Sequence, residues 1–316
     1  MKKVAYVTGC LGFIGSHVTR HLLAQGWYIT GVDKISYASN IHCLGEFQSH
    51  DRFRFLHSDI NDLDRLSDCD WVINTAAESH VDNSIVNSDE FLRSNVNGVH
   101  HLLNLIMNKK RFTMPTLLHF STDEVYGDIE TGSHKETDLL KPSNPYSATK
   151  AAADMLIQAW SRTYNVPFMI VRPTNNYGVD QYIEKLIPKS IRHLDLGRRI
   201  DIHDMGKPRR TWLHVSDTVQ AVMTVLERGN TGEIYNIGGN CELPNCEVVE
   251  KILIKYLGHS YSGNWLDYIV EHSRPGQDVR YSIDDTKLRS LGWQCLANFD
   301  VELTQIVEHY RDNFQW

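Results

Sequence analysis

Three features are missing from this sequence, and each absence closes a class of function. No apolar run approaches the ~20 residues that a bilayer-spanning helix needs, so no membrane-spanning helix is expected. Lys2-Lys3 and the apolar stretch to Gly15 look at first like a signal peptide. That stretch is broken by Gly9, Gly12 and Gly15, and His17, Arg20 and His21 stand where small residues should mark a cleavage site. Cysteines are few and unpatterned: Cys10, Cys43, Cys69, Cys241, Cys246 and Cys295 include no Cys-x-x-Cys pair. They read as free thiols of a reducing cytoplasm, the expected location. Positive charge is also scarce. With 32 Lys and Arg against 39 Asp and Glu, the net charge is -7. Nucleic acid is thereby excluded as the main partner, although one local basic pocket for a small anion is not. Sixteen histidines show no zinc-ligand spacing, so no metal is expected.

What is present is an ordinary globular composition, 41% apolar and 22% charged, in 316 residues. At ~150 residues per domain that length allows about two domains. Short β-branched or aromatic runs (Val4 to Thr8, Tyr28 to Asp33, Phe53 to His57, Trp71 to Thr75, Thr116 to Ser121) read as strands. Amphipathic stretches such as Gly15 to Gln25 and Ser88 to Met107 lie between them, and a helix from Tyr146 to Tyr164 and a strand from Phe168 to Arg172 follow. Such alternation predicts an α/β fold, a doubly wound parallel sheet of the Rossmann type. After Asn175 the segments shorten, with basic clusters at Arg198-Arg199 and Lys207 to Arg210. The expected division is residues 1–175 for the first domain, with strands returning from about 211–240 (Glu233 to Ile237 among them). Residues 176–316 form mainly a smaller, interleaved lobe. No linker, repeat or low-complexity tract marks a boundary.

Gly9-Cys10-Leu11-Gly12-Phe13-Ile14-Gly15 directly follows the first strand and opens the first helix. Glycines at this spacing allow a tight turn, close approach of backbone to a pyrophosphate and close packing of helix on strand. The phosphates would then meet the free amides and positive end of the helix. A glycine-rich turn without ligand is the plain alternative. Asp33 at the end of the second strand favours the dinucleotide, since a carboxylate there binds the adenine ribose diol and disfavours a 2′-phosphate, so NAD is expected. Lys34 beside it is a cation that would tolerate a phosphate. Asp59-Ile60, past the third strand, is either an adenine contact or an ordinary helix cap.

Tyr146 and Lys150 lie four apart at the start of a predicted helix and so share one face. A tyrosine titrating near ~10 is a poor base, and a neighbouring ammonium lowers that value. With a hydroxyl residue to hold substrate, the pair suits removal of an alcohol proton while hydride leaves for NAD.

These motifs, together with Ala76 to Asp82, Ser121-Thr122-Asp123-Glu124-Val125-Tyr126-Gly127, Asn175-Asn176-Tyr177-Gly178 and Glu184-Lys185-Leu186-Ile187-Pro188, carry a resemblance. The chain resembles the extended short-chain dehydrogenase/reductase family and, within it, the nucleotide-sugar 4,6-dehydratases, from Lys3 to near the C-terminus. The adjacent Asp123-Glu124 is the most specific feature. Elimination from a 4-keto sugar needs one group to take the C5 proton and another to protonate the departing O6, which two carboxyls of opposite protonation state provide. The resemblance implies Tyr146, with Lys150, as base at O4, Thr122 positioning the sugar, Glu124 taking the C5 proton and Asp123 the acid at O6. It implies NAD held by Gly9, Gly12, Phe13, Ile14, Gly15, Asp33, Lys34, Asp59, Ile60, Ala76, Tyr146 and Lys150.

The resemblance further implies a nucleotide-sugar substrate, dTDP-glucose or alternatively UDP-glucose. Thr122, Asn175, Glu184, Lys185, Leu186, Arg210, Asn245, Arg274 and Gln277 would hold it, arginine forks being suited to a diphosphate. Lys207 and Arg209 read as solvated. The chain departs from the family pattern at Cys10-Leu11, Asn83, Asp201, His203 and Gln277, several of them near the nucleobase. A homodimer is also implied, joined through the helices near Ser88 to Met107 and Tyr146 to Tyr164. Two rival readings are a 4-epimerase or decarboxylase of the same fold, and a nucleotide-sugar-binding regulator with a dead site.

Overall fold

The computed structural model describes residues 2–109 and 113–312. Twelve strands run through them: β1 Val4–Thr8, β2 Tyr28–Asp33, β3 Phe53–His57, β4 Trp71–Asn74, β5 Thr116–Phe120, β6 Phe168–Pro173, β7 Asn175–Tyr177, β8 Ile200–His203, β9 Arg209–His214, β10 Glu233–Ile237, β11 Cys241–Pro244 and β12 Ile269–His272. Seven form one sheet in the order β10-β6-β5-β4-β1-β2-β3. Every neighbouring pair in it is parallel. The α/β, doubly wound architecture is therefore as the alternation of strands and helices predicts. Strand order reverses between β1 and β4, and in such sheets ligands bind at the carboxyl ends beside that switch point.

Alternating side chains of the strands feed two apolar layers. On one face Ala5, Val7 and Ile73 pack with Val18 and Leu22 of the helix Phe13–Ala24 and Val219 and Val222 of the helix Val215–Arg228. On the other face Tyr6, Val72 and Ile170 meet Val99, Leu102 and Ile106 of the helix Gly98–Met107 and Ala153 and Ile157 of the helix Pro145–Tyr164. The stretch expected as one helix near Ser88 to Met107 is a short α-turn at Asp89–Phe91, a π-helical segment at Leu92–Asn97, then the α-helix Gly98–Met107. The wider π-turn turns buried Asn95 toward the sheet ends, where its amide joins the backbone of Glu78 to the Thr149 hydroxyl.

The remaining strands build two small sheets, β11-β9-β7 and β12-β8. Of residues 211–240, Glu233–Ile237 adds to the large sheet, whereas β9 pairs with β7 and β11. Trp212 explains that placement, since its ring packs with Tyr177 and Phe299 in the lobe's own core. Among the described residues no helix is long and apolar enough to cross a membrane.

Candidate active site

β1 ends at Thr8 and the helix Phe13–Ala24 begins after a four-residue turn. Gly9 has φ +70°, and a Cβ there would sit 2.7 Å from the Ala76 nitrogen behind β4. A Cβ on Gly15 would lie 2.0 Å from the Gly9 carbonyl oxygen. These glycines are required for strand end, turn and helix to nest. Gly12 caps the helix without a side-chain acceptor, and its first turn carries no acid. The first-turn amides of Phe13, Ile14 and Gly15 thus present the helix's positive end to the cleft, a seat that fits a pyrophosphate.

Asp33, nearly buried at the end of β2, is held by the amides of Ile35 (2.8 Å) and Leu11 (3.0 Å) and the Ser39 hydroxyl (2.8 Å). That leaves Oδ2 with acceptor capacity for a ribose hydroxyl. Lys34 does not offer the open cation that its sequence position implied. Its Nζ lies 2.9 Å from Glu78 Oε1 and 3.3 Å from Ser94 Oγ, so its charge is paired. Asp59 caps the turn Ile60–Asp62 through the Asn61 amide at 2.9 Å, and both Asp59 and Ile60 line the cleft.

At the reacting end, the helix Pro145–Tyr164 starts from a capping box in which Asn144 and Ser147 satisfy each other's amides. This presents Tyr146 and Lys150 on one inner face, both buried. The electrostatics differ from the simple expectation for such a pair. Burial, with the carboxylates of Glu124 and Asp123, pushes the Tyr146 hydroxyl above its ordinary range, and the Thr122 hydroxyl opposes this. Lys150 points its Nζ at the Phe120 carbonyl and lies 3.4 Å from His119 Nε2. Burial lowers it to about 8, against the pull of Asp154.

Thr122 caps the turn Asp123–Tyr126 that follows β5, accepting from the Glu124 amide at 3.3 Å and donating to Asp123 Oδ1 at 3.2 Å. Burial and the neighbouring Glu124 raise the Asp123 carboxyl to about 7, with Arg210 opposing. Its Oδ2 is buried with no hydrogen-bond partner among the described residues. Burial raises Glu124 as well, while Arg210, Asn144 and Lys185 draw it down. Glu124 Oε2 lies 3.4 Å from both Asn144 Nδ2 and the Tyr281 hydroxyl. Both carboxyls are therefore raised by burial, Asp123 to about 7, while the donors and cations around Glu124 oppose its rise.

Across the cleft from the Asp123–Glu124 pair, Arg210 is buried and lies 4.3 Å above the Tyr281 ring, donating to the carbonyls of Arg209 and Asp278. Arg209 turns outward to Glu242 at 2.8 Å. Arg274 is paired with Asp82, and Lys185 donates to the Ser79 carbonyl at 2.9 Å. A single cleft of about 450 Å³ at the carboxyl ends of the strands is lined by every residue named above for cofactor, chemistry or substrate, Asn175, Glu184, Leu186, Asn245 and Gln277 included. Sequence reasoning missed Asn144, Asp278 and Tyr281, which also line it. Tyr281 and Ser143 both donate to the Asp278 carboxylate, so this loop braces Glu124 from the far side. Asn144 had a signal, a side-chain cap just before Pro145; Tyr281, 157 residues from Glu124, had none.

A parallel sheet with a glycine turn at its switch point, a buried Tyr–Lys pair and an adjacent Asp–Glu pair define an enzyme of the extended short-chain dehydrogenase/reductase type. The chain belongs to the GDP-mannose 4,6 dehydratase family, whose model matches residues 6–306. It is 40% identical to the probable dTDP-glucose 4,6-dehydratase of Sinorhizobium fredii, covering 98% of this chain and 93% of the relative. It is likewise 40% identical to the dTDP-glucose 4,6-dehydratase of Haemophilus influenzae, over 97% of each. Among solved structures, the dTDP-glucose 4,6-dehydratase DesIV from Streptomyces venezuelae, with NAD and TYD bound, superposes with a TM-score of 0.91 at 38% identity. That match covers 98% of this chain and 97% of the other.

Proposed function

We propose that the chain is a lyase that binds NAD and dehydrates dTDP-glucose to its 4-keto-6-deoxy product. The observation that carries this reading is the Asp123–Glu124 pair beside Tyr146 in one cleft, with the Asp123 carboxyl raised to about 7. Names of relatives 40% identical over nearly the whole chain support it. Bound NAD would accept hydride from C4 and return it to C6, and its positive ring would add the cationic field that Tyr146 needs to ionise. Tyr146 takes the proton from the sugar O4. The 4-keto group then acidifies C5, whose proton Glu124 removes and returns to C5 once hydride has reached C6. Asp123, still protonated near neutral pH, donates to the departing O6. Thr122 holds the sugar between them, while Lys185, Arg210 and Arg274 face the diphosphate.

The test is incubation with dTDP-glucose and UDP-glucose separately, scoring loss of one water by mass and the alkali-sensitive 4-keto chromophore. If neither substrate loses water, the reading fails. Tyr146→Phe is expected to abolish NAD reduction by substrate. Glu124→Gln should permit that half-reaction and block elimination, and equal loss of both steps would contradict the roles given. UDP-glucose belongs in the test because Asp201, His203 and Gln277, three departures from the family pattern, all line the cleft.

We further infer a cytoplasmic homodimer. All six cysteines are free thiols. Leu92, Met155 and Tyr164 stay about half exposed along the two helical stretches expected at the interface. Light scattering that gives a monomer mass at micromolar concentration would remove the dimer from this proposal.

A further inference from the structure

A guanidinium carries five N–H donors in a planar fork. Arg274 places two of them, from Nε and Nη2, on the two carboxylate oxygens of Asp82 at 2.5 and 2.9 Å. A third, from Nη1, reaches Gln277 Oε1 at 3.2 Å. One N–H therefore remains on each terminal nitrogen. Those two donors are what a phosphate accepts from an arginine.

The partners come from opposite walls of the cleft. Asp82 lies in the first turn of the helix Val81–Val86, behind β4 of the large sheet. Arg274 follows β12 in the smaller lobe, 192 residues away. His203, the last residue of β8, brings Nε2 within 3.6 Å of the same Asp82 Oδ2, and His80 within 3.9 Å. The Ser79 segment beside Asp82 is tied down separately by Lys185. Asp82 lines the cleft, yet no hydrogen bond or ion pair joins it to Thr122, Asp123, Glu124 or Tyr146; its charged partners are Arg274, His203 and His80.

We propose that Asp82, backed by His203, is a positioning residue for the substrate's diphosphate: it pins one edge of the Arg274 guanidinium across the cleft and leaves the other donors for phosphate oxygens. This rests on the nucleotide-sugar reading above. An unrestrained arginine must give up rotamer freedom on binding, and Arg274 has already surrendered it. The carboxylate also withdraws part of the arginine's charge from the ligand. Geometry decides between these opposed effects, because the donors Asp82 occupies are not the pair left for the phosphate.

The test is a double-mutant cycle read by calorimetry, with dTDP and UDP as probes of the NAD-loaded protein. Asp82→Asn keeps size and removes charge, and it should weaken nucleoside diphosphate binding about tenfold. In an Arg274→Ala background the same change should alter binding by less than roughly twofold, since Asp82 acts through Arg274. Asp82→Glu, which keeps the charge, should recover part of the loss, a rescue that mere structural damage would not show. Unchanged or tighter binding in Asp82→Asn, or an equal loss in both backgrounds, overturns the proposal alone. A wild-type protein that binds neither dTDP nor UDP removes the nucleotide-sugar reading, and this proposal with it.

Discussion

Adjacent carboxyl groups in one buried site cannot both ionise cheaply, and their neighbours separate Asp123 from Glu124. Asp123 is raised to about 7, with one oxygen unpartnered, whereas Glu124, raised by burial too, has donors from Asn144 and Tyr281 beside it. A raised carboxyl keeps its proton up to that value, so the donor is loaded below pH 7 and lost as pH rises through it. The elimination step, followed in single turnover, should therefore decline through about pH 7, with the initial oxidation less affected. Asp123→Asn should remove that limb and slow elimination by ~10²–10⁴-fold, the usual worth of a positioned acid. An unaltered pH profile in that variant would assign the acid elsewhere. The identities of these residues were readable in the sequence because they are neighbours in the chain. The surroundings that act on them, Arg210 on both and the Tyr281 hydroxyl beside Glu124, are distant in sequence.

Among the elements, the helix Pro145–Tyr164 links stability to chemistry through its first residue boundary. Asn144 closes the capping box and also reaches Glu124. Asn144→Ala should cost about 1 kcal/mol of stability, the typical worth of such a cap. It should also slow C5 proton removal, because Glu124 loses a donor that favours its anion. Urea unfolding and a C5 deuterium exchange assay would read the two effects separately. Boundaries of this helix and of β1 to β6 were legible, since local periodicity and caps fix them. The π-helical segment Leu92–Asn97 was not. It places Asn95 against Glu78 and Thr149, contacts 17 and 54 residues away.

For the whole molecule, one buried ion pair ties the large sheet to the helix Pro145–Tyr164 and the Asp123 turn. Arg172 of β6 donates through Nε to Asp154 Oδ2 at 3.0 Å, has Nη2 2.9 Å from the same oxygen, and donates through Nη1 to the Tyr126 hydroxyl at 2.7 Å. Tyr126 passes the chain on to Asn236 of β10. Arg172→Met would strand the Asp154 carboxylate in the core and should cost about 3–5 kcal/mol in urea unfolding. Adding Asp154→Leu should restore much of that loss, because removing both charges removes the desolvation penalty as well. A double variant no more stable than the single one would count against this account.

The sequence by itself determined the parallel α/β sheet through the alternation of strand and helix patterns, and the glycine turn, the Tyr146–Lys150 pair and the Asp123–Glu124 pair because each of these three is written in residues within a few positions of one another. Only the tertiary structure decided how charge is distributed among them. Lys34 is paired by Glu78, Arg274 by Asp82, and β9 is drawn into the lobe by Trp212. Those outcomes depend on burial and on partners 44 and 192 residues away, and Coulomb energy and desolvation follow distance in space, not position along the chain.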